Sequence, residues 1–192
     1  MNPRALKLVS VCAGLFILTS SFTLLAQHSQ EATLEREANE KIKVFATQLK
    51  GELSSAIQEQ GLAHAVTVCK DKAPEIARSL STDGWTLART SLGVRNPDNA
   101  PNEWERGVML AFDKAYKGGK SAADLHVSKI DDTSFYYMKA IETSQVCLAC
   151  HGSNVNESLL KHINTQYPKD SATGFTLDEL RGAFTLQKTI SE

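Results

Sequence analysis

The sequence predicts an α+β domain, and three observations predict it. Apolar residues recur every three or four positions between Leu34 and Leu80, the period of helices with one buried face. After residue 84 the pattern changes to apolar runs rich in β-branched and aromatic residues, several of them bounded by turn formers. An uncharged N-terminal stretch stands apart from both. Helices that precede a mostly antiparallel set of strands are the α+β arrangement. The chain divides into a leader (1–26), a polar linker (27–33) and one folded domain (34–192).

The first helix carries Leu34, Ala38, Ile42, Phe45, Leu49, Leu53, Ala56 and Ile57 on one stripe, and Gly61 is placed to end it. A second helix carries Leu62, Ala65, Val66 and Cys69. Pro74 interrupts its pattern, and Pro74-Glu75 opens a further turn reaching Leu80. Asp83-Gly84 is a turn signal before a strand through Trp85, Leu87, Ala88 and Thr90. Residues 93–102 are dense in Gly, Pro, Asn and Asp and form a loop. A helix follows from Glu103 to Tyr116, stopped by Gly118-Gly119. Val127–Ile130 and Phe135–Ile141 read as strands joined at Asp131-Asp132. Ser158–Tyr167 reads as a helix, and Gly182–Ile190 as the last strand.

Bulk composition excludes some functions. The chain has 192 residues, enough for one domain with a real core, and is 42% hydrophobic and 22% charged. Lys and Arg number 21 against 22 Asp and Glu, so the net charge of −1 gives no general attraction to nucleic acid or anionic lipid. No basic stripe is interleaved with aromatics, and no nucleic-acid partner is expected.

The leader reads as an export signal. Arg4 and Lys7 precede an uncharged stretch, Leu8–Ala26, with Val9, Val11, Leu15, Phe16, Ile17 and Leu18 at its apolar centre. Cleavage after Ser21 fits the small-residue preference better than cleavage after Ala26, which places Leu24 at a position that favours small residues. An uncleaved membrane anchor is the competing reading, since these 19 residues approach spanning length. Five Ser or Thr residues among them favour cleavage, and a periplasmic domain is expected. Any membrane contact is then confined to the leader. Cys12 follows the bulky Val11 too early to mark a lipoprotein.

Three cysteines remain in the exported domain: Cys69, Cys147 and Cys150. An odd thiol in a secreted domain needs an explanation. The segment Cys147-Leu148-Ala149-Cys150-His151 supplies one, because its spacing is that of c-type haem attachment. Two sulfurs add across the two haem vinyl groups, the intervening pair of residues sets their separation, and the following histidine reaches the iron as an axial ligand. Cys-X-X-Cys by itself also occurs in redox dithiols and zinc sites. A thioredoxin-like context is missing, however, and Cys69, His126 and His162 are too scattered to supply a second zinc-ligand pair. One covalent haem c is the expected cofactor.

The other face of the iron decides the function. No Met follows His151, since Met109 and Met138 both precede it, and the 41 residues after it hold one His, His162, expected on a surface helix. His64 and His126 read as surface or structural. Cys69 is either a buried thiol acting as a small hydrophobe or a thiolate ligand. Arg89, Arg95 and Arg181 sit near turns or strand ends and are candidates for the haem propionates, because guanidinium pairs well with carboxylate. Trp85, Trp104, Phe135, Tyr136, Tyr137 and Phe184 are candidates for core or pocket lining.

Several stretches, read together, carry a family resemblance. They are Val68-Cys69 with Ala73-Pro74-Glu75-Ile76-Ala77; Arg89-Thr90-Ser91 leading to Arg95-Asn96-Pro97; Asn99-Ala100-Pro101; Cys147 to Gly152; and Tyr167-Pro168 leading to Leu180-Arg181-Gly182-Ala183. Over residues 35–190 the chain resembles the single-haem c-type domains with a PAS-like fold, found alone in the periplasm and as sensor modules of bacterial signalling proteins. The resemblance implies a PAS-like antiparallel sheet with N-terminal helices. It also implies His/Cys ligation, with Cys69 opposite His151.

A haem iron held by His151 and thiolate Cys69 is six-coordinate and low-spin, with a low reduction potential. Filled positions argue against an oxidase or peroxidase, and no enzyme is expected. Release of Cys69 on reduction opens a place for CO or NO, which suggests a redox or gas sensor. The rivals are a low-potential electron-transfer cytochrome, a five-coordinate gas-binding helical bundle, and an interaction module with a structural haem. The strand-like C-terminal end argues against the bundle.

Overall fold

The structure is a computed structural model that describes residues 13–131 and 133–190, with side chains from residue 28 onward. Of the expected leader, residues 1–12, with Cys12, lie outside the described residues; Asp132 does too. Residues 13–26 are helical. Among the described residues no helix is long and apolar enough to cross a membrane.

The helical region is α1, Ala13–Leu80, and it is broken at Gly61, where φ is 82° and ψ −179°. Lys41 Nζ donates to the Leu80 carbonyl at 2.9 Å although the two are 39 residues apart in sequence. A straight helix would separate them by about 58 Å, so the two halves fold back on each other as an antiparallel hairpin. Ala56 packs with Ala65 and Val68 near its tip, while Leu34, Ala38, Ile42 and Phe45 pack with Ala73 and Ile76 towards its base. Gly61 ends the first half as the sequence indicates. A Cβ there would meet nothing within 4 Å, so the positive φ alone calls for glycine.

Two expectations differ. Residues 27–33 are not a linker but part of α1. They are held to the domain by Ser128, whose Oγ lies 2.8 Å from Glu31 Oε1 and 2.7 Å from Glu35 Oε1. Pro74 does not interrupt the helix either. Ala73 and Ile76 around it are buried in the core, and that packing offsets the backbone hydrogen bond that proline cannot make.

The remaining elements are β1 (Trp85–Thr90), α2 (Glu103–Lys117), β2 (His126–Ile130), β3 (Ser134–Glu142), α3 (Gln145–His151), α4 (Glu157–Gln166) and β4 (Leu180–Thr189), with one-turn 3-10 helices at Pro97–Asn99 and Ala122–Asp124. The strands form one antiparallel sheet in the order β1-β4-β3-β2. Fold class is therefore α+β, with a PAS-like antiparallel sheet behind N-terminal helices. A capping box between Asn102 and Glu105 starts α2.

Alternation along β3 divides the core between the two faces of the sheet. Phe135 and Tyr137 join Phe45, Trp85 and Leu186 beneath the α1 hairpin. Met138 and Ala140 join Met109, Phe112 and Ala183 beneath α2. Met109 and Met138 are thus core residues. Trp104 and Tyr136 pack edge to face at 5.8 Å, with Lys129 Nζ 4.6 Å and 4.4 Å from their rings.

Candidate haem cavity

The α1 hairpin does not close completely against the sheet. It leaves a cavity of about 420 Å³, which also reaches α3 and the loop after β1. Its walls include Phe45, Leu49, Leu53, Ile57, Leu62, Val66, Ile141 and Phe184. Every residue singled out from the sequence for cofactor binding lines it: Cys69 from the second half of α1, Arg89 from β1, Arg95 from the following loop, Cys147, Cys150 and His151 from α3, and Arg181 from β4. Of the six aromatic candidates only Phe184 reaches the cavity; the other five belong to the packing already described. His64, His126 and His162 do not line it, and His162 Nε2 is buried without a hydrogen-bond partner.

The attachment motif forms the short helix α3. Ser144 Oγ lies 3.2 Å from Cys147 Sγ. Cys69, Cys147 and Cys150 are all free, half-buried thiols. Gly152 then turns the chain beneath Leu148, where a Cβ would come within 2.6 Å of the Leu148 carbonyl oxygen. That close approach lets residue 152 pair in parallel with Phe175.

His151 is held in one tautomer. Its Nδ1 lies 2.6 Å from the Ala172 carbonyl oxygen. A carbonyl can only accept, so Nδ1 carries the proton. Burial, reinforced by Arg181 and Arg95, pushes the imidazole pKa down to about 3 against the opposing bond to Ala172. The ring is therefore neutral and its Nε2 has a bare lone pair, the form that binds a metal. Phe175 meets the ring edge to face at 6.5 Å.

Cys69 presents the second donor. Burial pushes its thiol above the ordinary range, while Arg89, Arg95 and Arg181, in that order, favour the thiolate. The three arginines are not equivalent. Arg95 forms a buried ion pair with Asp170 at 3.1 Å and donates to the Cys150 carbonyl at 2.7 Å. Arg181 donates to Ser91 Oγ at 3.0 Å and to the Gly93 carbonyl at 3.3 Å, its guanidinium 4.9 Å from the Phe175 ring centre. Burial, with the charges of Arg95 and Arg89, lowers its pKa to about 10. Arg89 makes no hydrogen bond or ion pair to a described residue, and its guanidinium lies over Phe45 at 5.1 Å. Arg95 is thus largely committed to protein partners. Among the described residues the two other cavity guanidiniums, Arg89 and Arg181, lack a carboxylate partner.

This donor set suits a flat, dianionic metallocycle. The Cys147 and Cys150 thiols sit beside a histidine with a free Nε2, a further sulfur shares the apolar cavity, and two guanidiniums without a carboxylate partner among the described residues would match two propionates. Among the described residues no group of three or more His, Cys, Asp or Glu side chains gathers around one point to hold a bare ion. Sequence reading did not find Asp170, Ala172 or Phe175, the immediate neighbours of Arg95 and His151. Ala172 acts through its backbone, which no residue pattern reports. The hydroxyl of Tyr167, a residue noted only within a matching stretch, makes no hydrogen bond to a described residue, and burial raises its pKa to about 12.

Comparison with known proteins agrees with this architecture. A solved structure, that of the cyanobacterial heme-protein Tll0287, has a TM-score of 0.57 to this chain, covering 81% of it and 96% of the other chain at 24% identity. No curated protein matches the chain significantly. The family model described as Tll0287-like matches residues 28–188. The chain belongs to the Tll0287-like family.

Proposed function

We propose that this is a periplasmic, non-enzymatic single-haem c-type protein in which Cys147 and Cys150 hold the haem covalently and His151 and Cys69 are the axial ligands. The observation that carries the proposal is the opening of a neutral imidazole with a free Nε2 and of the Cys69 sulfur onto one apolar cavity that also contains the attachment thiols. The solved relative is named a heme-protein, which supports the same cofactor. Bound here, the haem supplies a one-electron ferric–ferrous couple.

The chain's own residues set the conditions. Ala172 fixes the tautomer of His151. Arg89 and Arg181 would hold the propionates, and the apolar wall would limit access of water to the cofactor. Thiolate donation from Cys69 favours the ferric state and a low potential. A residue that releases on reduction makes a redox sensor, or a sensor of CO or NO at the vacated position. Val146, 49% exposed on the cavity rim beside Cys147, supports a second reading, a low-potential electron carrier with an accessible cofactor edge.

Electron paramagnetic resonance of the ferric protein tests the ligation. A low-spin signal with the narrow g-spread of thiolate is expected, changing to high spin in Cys69→Ala. High-spin iron in the unmodified protein overturns the role of Cys69. Haem extractable by acidified solvent overturns covalent attachment. An unchanged spectrum when CO is added to the reduced protein removes the CO-sensing part, leaving the redox reading.

A further inference from the structure

Residues 170–175 run as a strap along the end of α3. Phe175 N donates to the His151 carbonyl at 2.9 Å, Gly174 N donates to the Gly152 carbonyl at 3.1 Å, and the Ala172 carbonyl accepts from His151 Nδ1 at 2.6 Å. Arg95 grips the same strap. Its Nε and one terminal nitrogen hold the Asp170 carboxylate at 3.3 Å and 3.1 Å. That terminal nitrogen also donates to the Cys150 carbonyl at 2.7 Å and, at 3.4 Å, to the Ala172 carbonyl. His151 and Arg95 therefore share one acceptor.

We propose that Arg95 is a positioning residue that sets the donor strength of His151 by competing with its Nδ1–H for the Ala172 carbonyl oxygen, while Asp170 limits how far Arg95 engages that oxygen. The inference rests on the His151 ligation proposed above. A carbonyl that also accepts from a guanidinium is a weaker acceptor for the imidazole N–H. The proton then stays closer to the ring, and Nε2 is a poorer electron donor to a metal. Removing Arg95 from the carbonyl strengthens the bond from Nδ1. Releasing Arg95 from Asp170 lets it press on the carbonyl and weakens that bond.

The test uses the full haem-loaded chain with the variants Arg95→Lys and Asp170→Asn. Two quantities are read: the midpoint potential by spectroelectrochemistry, and the His151 Nδ1–H resonance of the reduced protein by nitrogen-edited magnetic resonance. Arg95→Lys keeps the charge but loses the fork that spans carboxylate and carbonyls. It is expected to lower the potential and move the resonance downfield. Asp170→Asn is expected to shift both in the opposite sense. A wild-type potential and resonance in Arg95→Lys means that only charge acts, and overturns the proposal. Shifts of the same sign in both variants mean a loosened strap and also overturn it. If Arg95→Lys does not fold, the Asp170→Asn resonance decides: an upfield shift supports the proposal and an unchanged one overturns it. Failure of the ligation reading is seen separately, as an unaltered low-spin spectrum in His151→Ala.

Discussion

The ring of His151 and the backbone of Ala172, 21 residues later, are joined by a 2.6 Å hydrogen bond that fixes which nitrogen faces the cavity. The bond depends on the strap lying close against α3, and that depends on Gly152, whose missing Cβ admits the turn beneath Leu148.

Gly152→Ala therefore forces a contact at 2.6 Å with the Leu148 carbonyl oxygen. Overpacking against backbone costs about 1–3 kcal/mol. Urea denaturation of the purified protein is expected to show that loss, together with a perturbed haem spectrum. A variant of wild-type stability and spectrum contradicts the close fit.

Arg95→Gln leaves the Asp170 carboxylate, 3% exposed, buried without its counter-charge. Breaking such a pair from one side costs about 3–5 kcal/mol. The double variant Arg95→Gln/Asp170→Asn is expected to recover much of that loss, because it removes the orphaned charge. A double-mutant cycle by chemical denaturation measures the coupling, and strictly additive losses count against a buried ion pair.

At Gly61 the cost is backbone alone. Its φ of 82° is unfavourable for an L-residue, yet a side chain there meets open space. With ψ at −179° the residue lies in the extended positive-φ region that essentially only glycine adopts, so Gly61→Ala and Gly61→Asn are each expected to destabilise by about 1–3 kcal/mol. Thermal melts of the two variants side by side decide it; a wild-type melting temperature in either one contradicts a glycine-only backbone at the hairpin break.

Acid stability has an identifiable contributor at the turn between β2 and β3. Asp131 Oδ1 accepts hydrogen bonds from the backbone N–H groups of Thr133 and Ser134 at 3.2 Å and 2.9 Å. The first of these leads in holding its carboxyl below the ordinary value of 3.8. A depressed folded pKa means the stabilisation is present above the unfolded value and is lost as pH falls through the folded one. The wild-type urea midpoint is expected to fall more steeply than that of Asp131→Asn as pH drops below the ordinary carboxylate value of 3.8. Parallel curves leave Asp131 without a role in acid unfolding.

Much of the fold is legible in the sequence because it is local. The stripe from Leu34 to Ile57 specifies a helix, Gly61 its end, and the alternation of Trp85, Thr86, Leu87 and Ala88 a half-buried strand. The segment 27–33 and Pro74 were misleading for a common reason. Neither carries a local sign of a buried helix, since 27–33 is polar without an apolar stripe and Pro74 lacks a backbone donor, but contacts made far away in sequence, Ser128 to Glu31 and Glu35 and the burial of Ala73 and Ile76, hold both in α1.

By itself the sequence determined the chemistry on offer: an attachment motif at Cys147–His151, an unpaired Cys69, and three arginines in stretches of matching pattern. Only the tertiary structure decided how these are used. It took the folding back of α1 at Gly61 to place Cys69 in the same cavity as α3, and the strap at 170–175 to choose the tautomer of His151. It also separated Arg95, which is held by Asp170, from Arg89 and Arg181, which keep uncompensated charge. Residue identity fixes which groups can donate, accept or carry charge. Which of them remain free is settled by partners tens of residues away, and no local pattern encodes those.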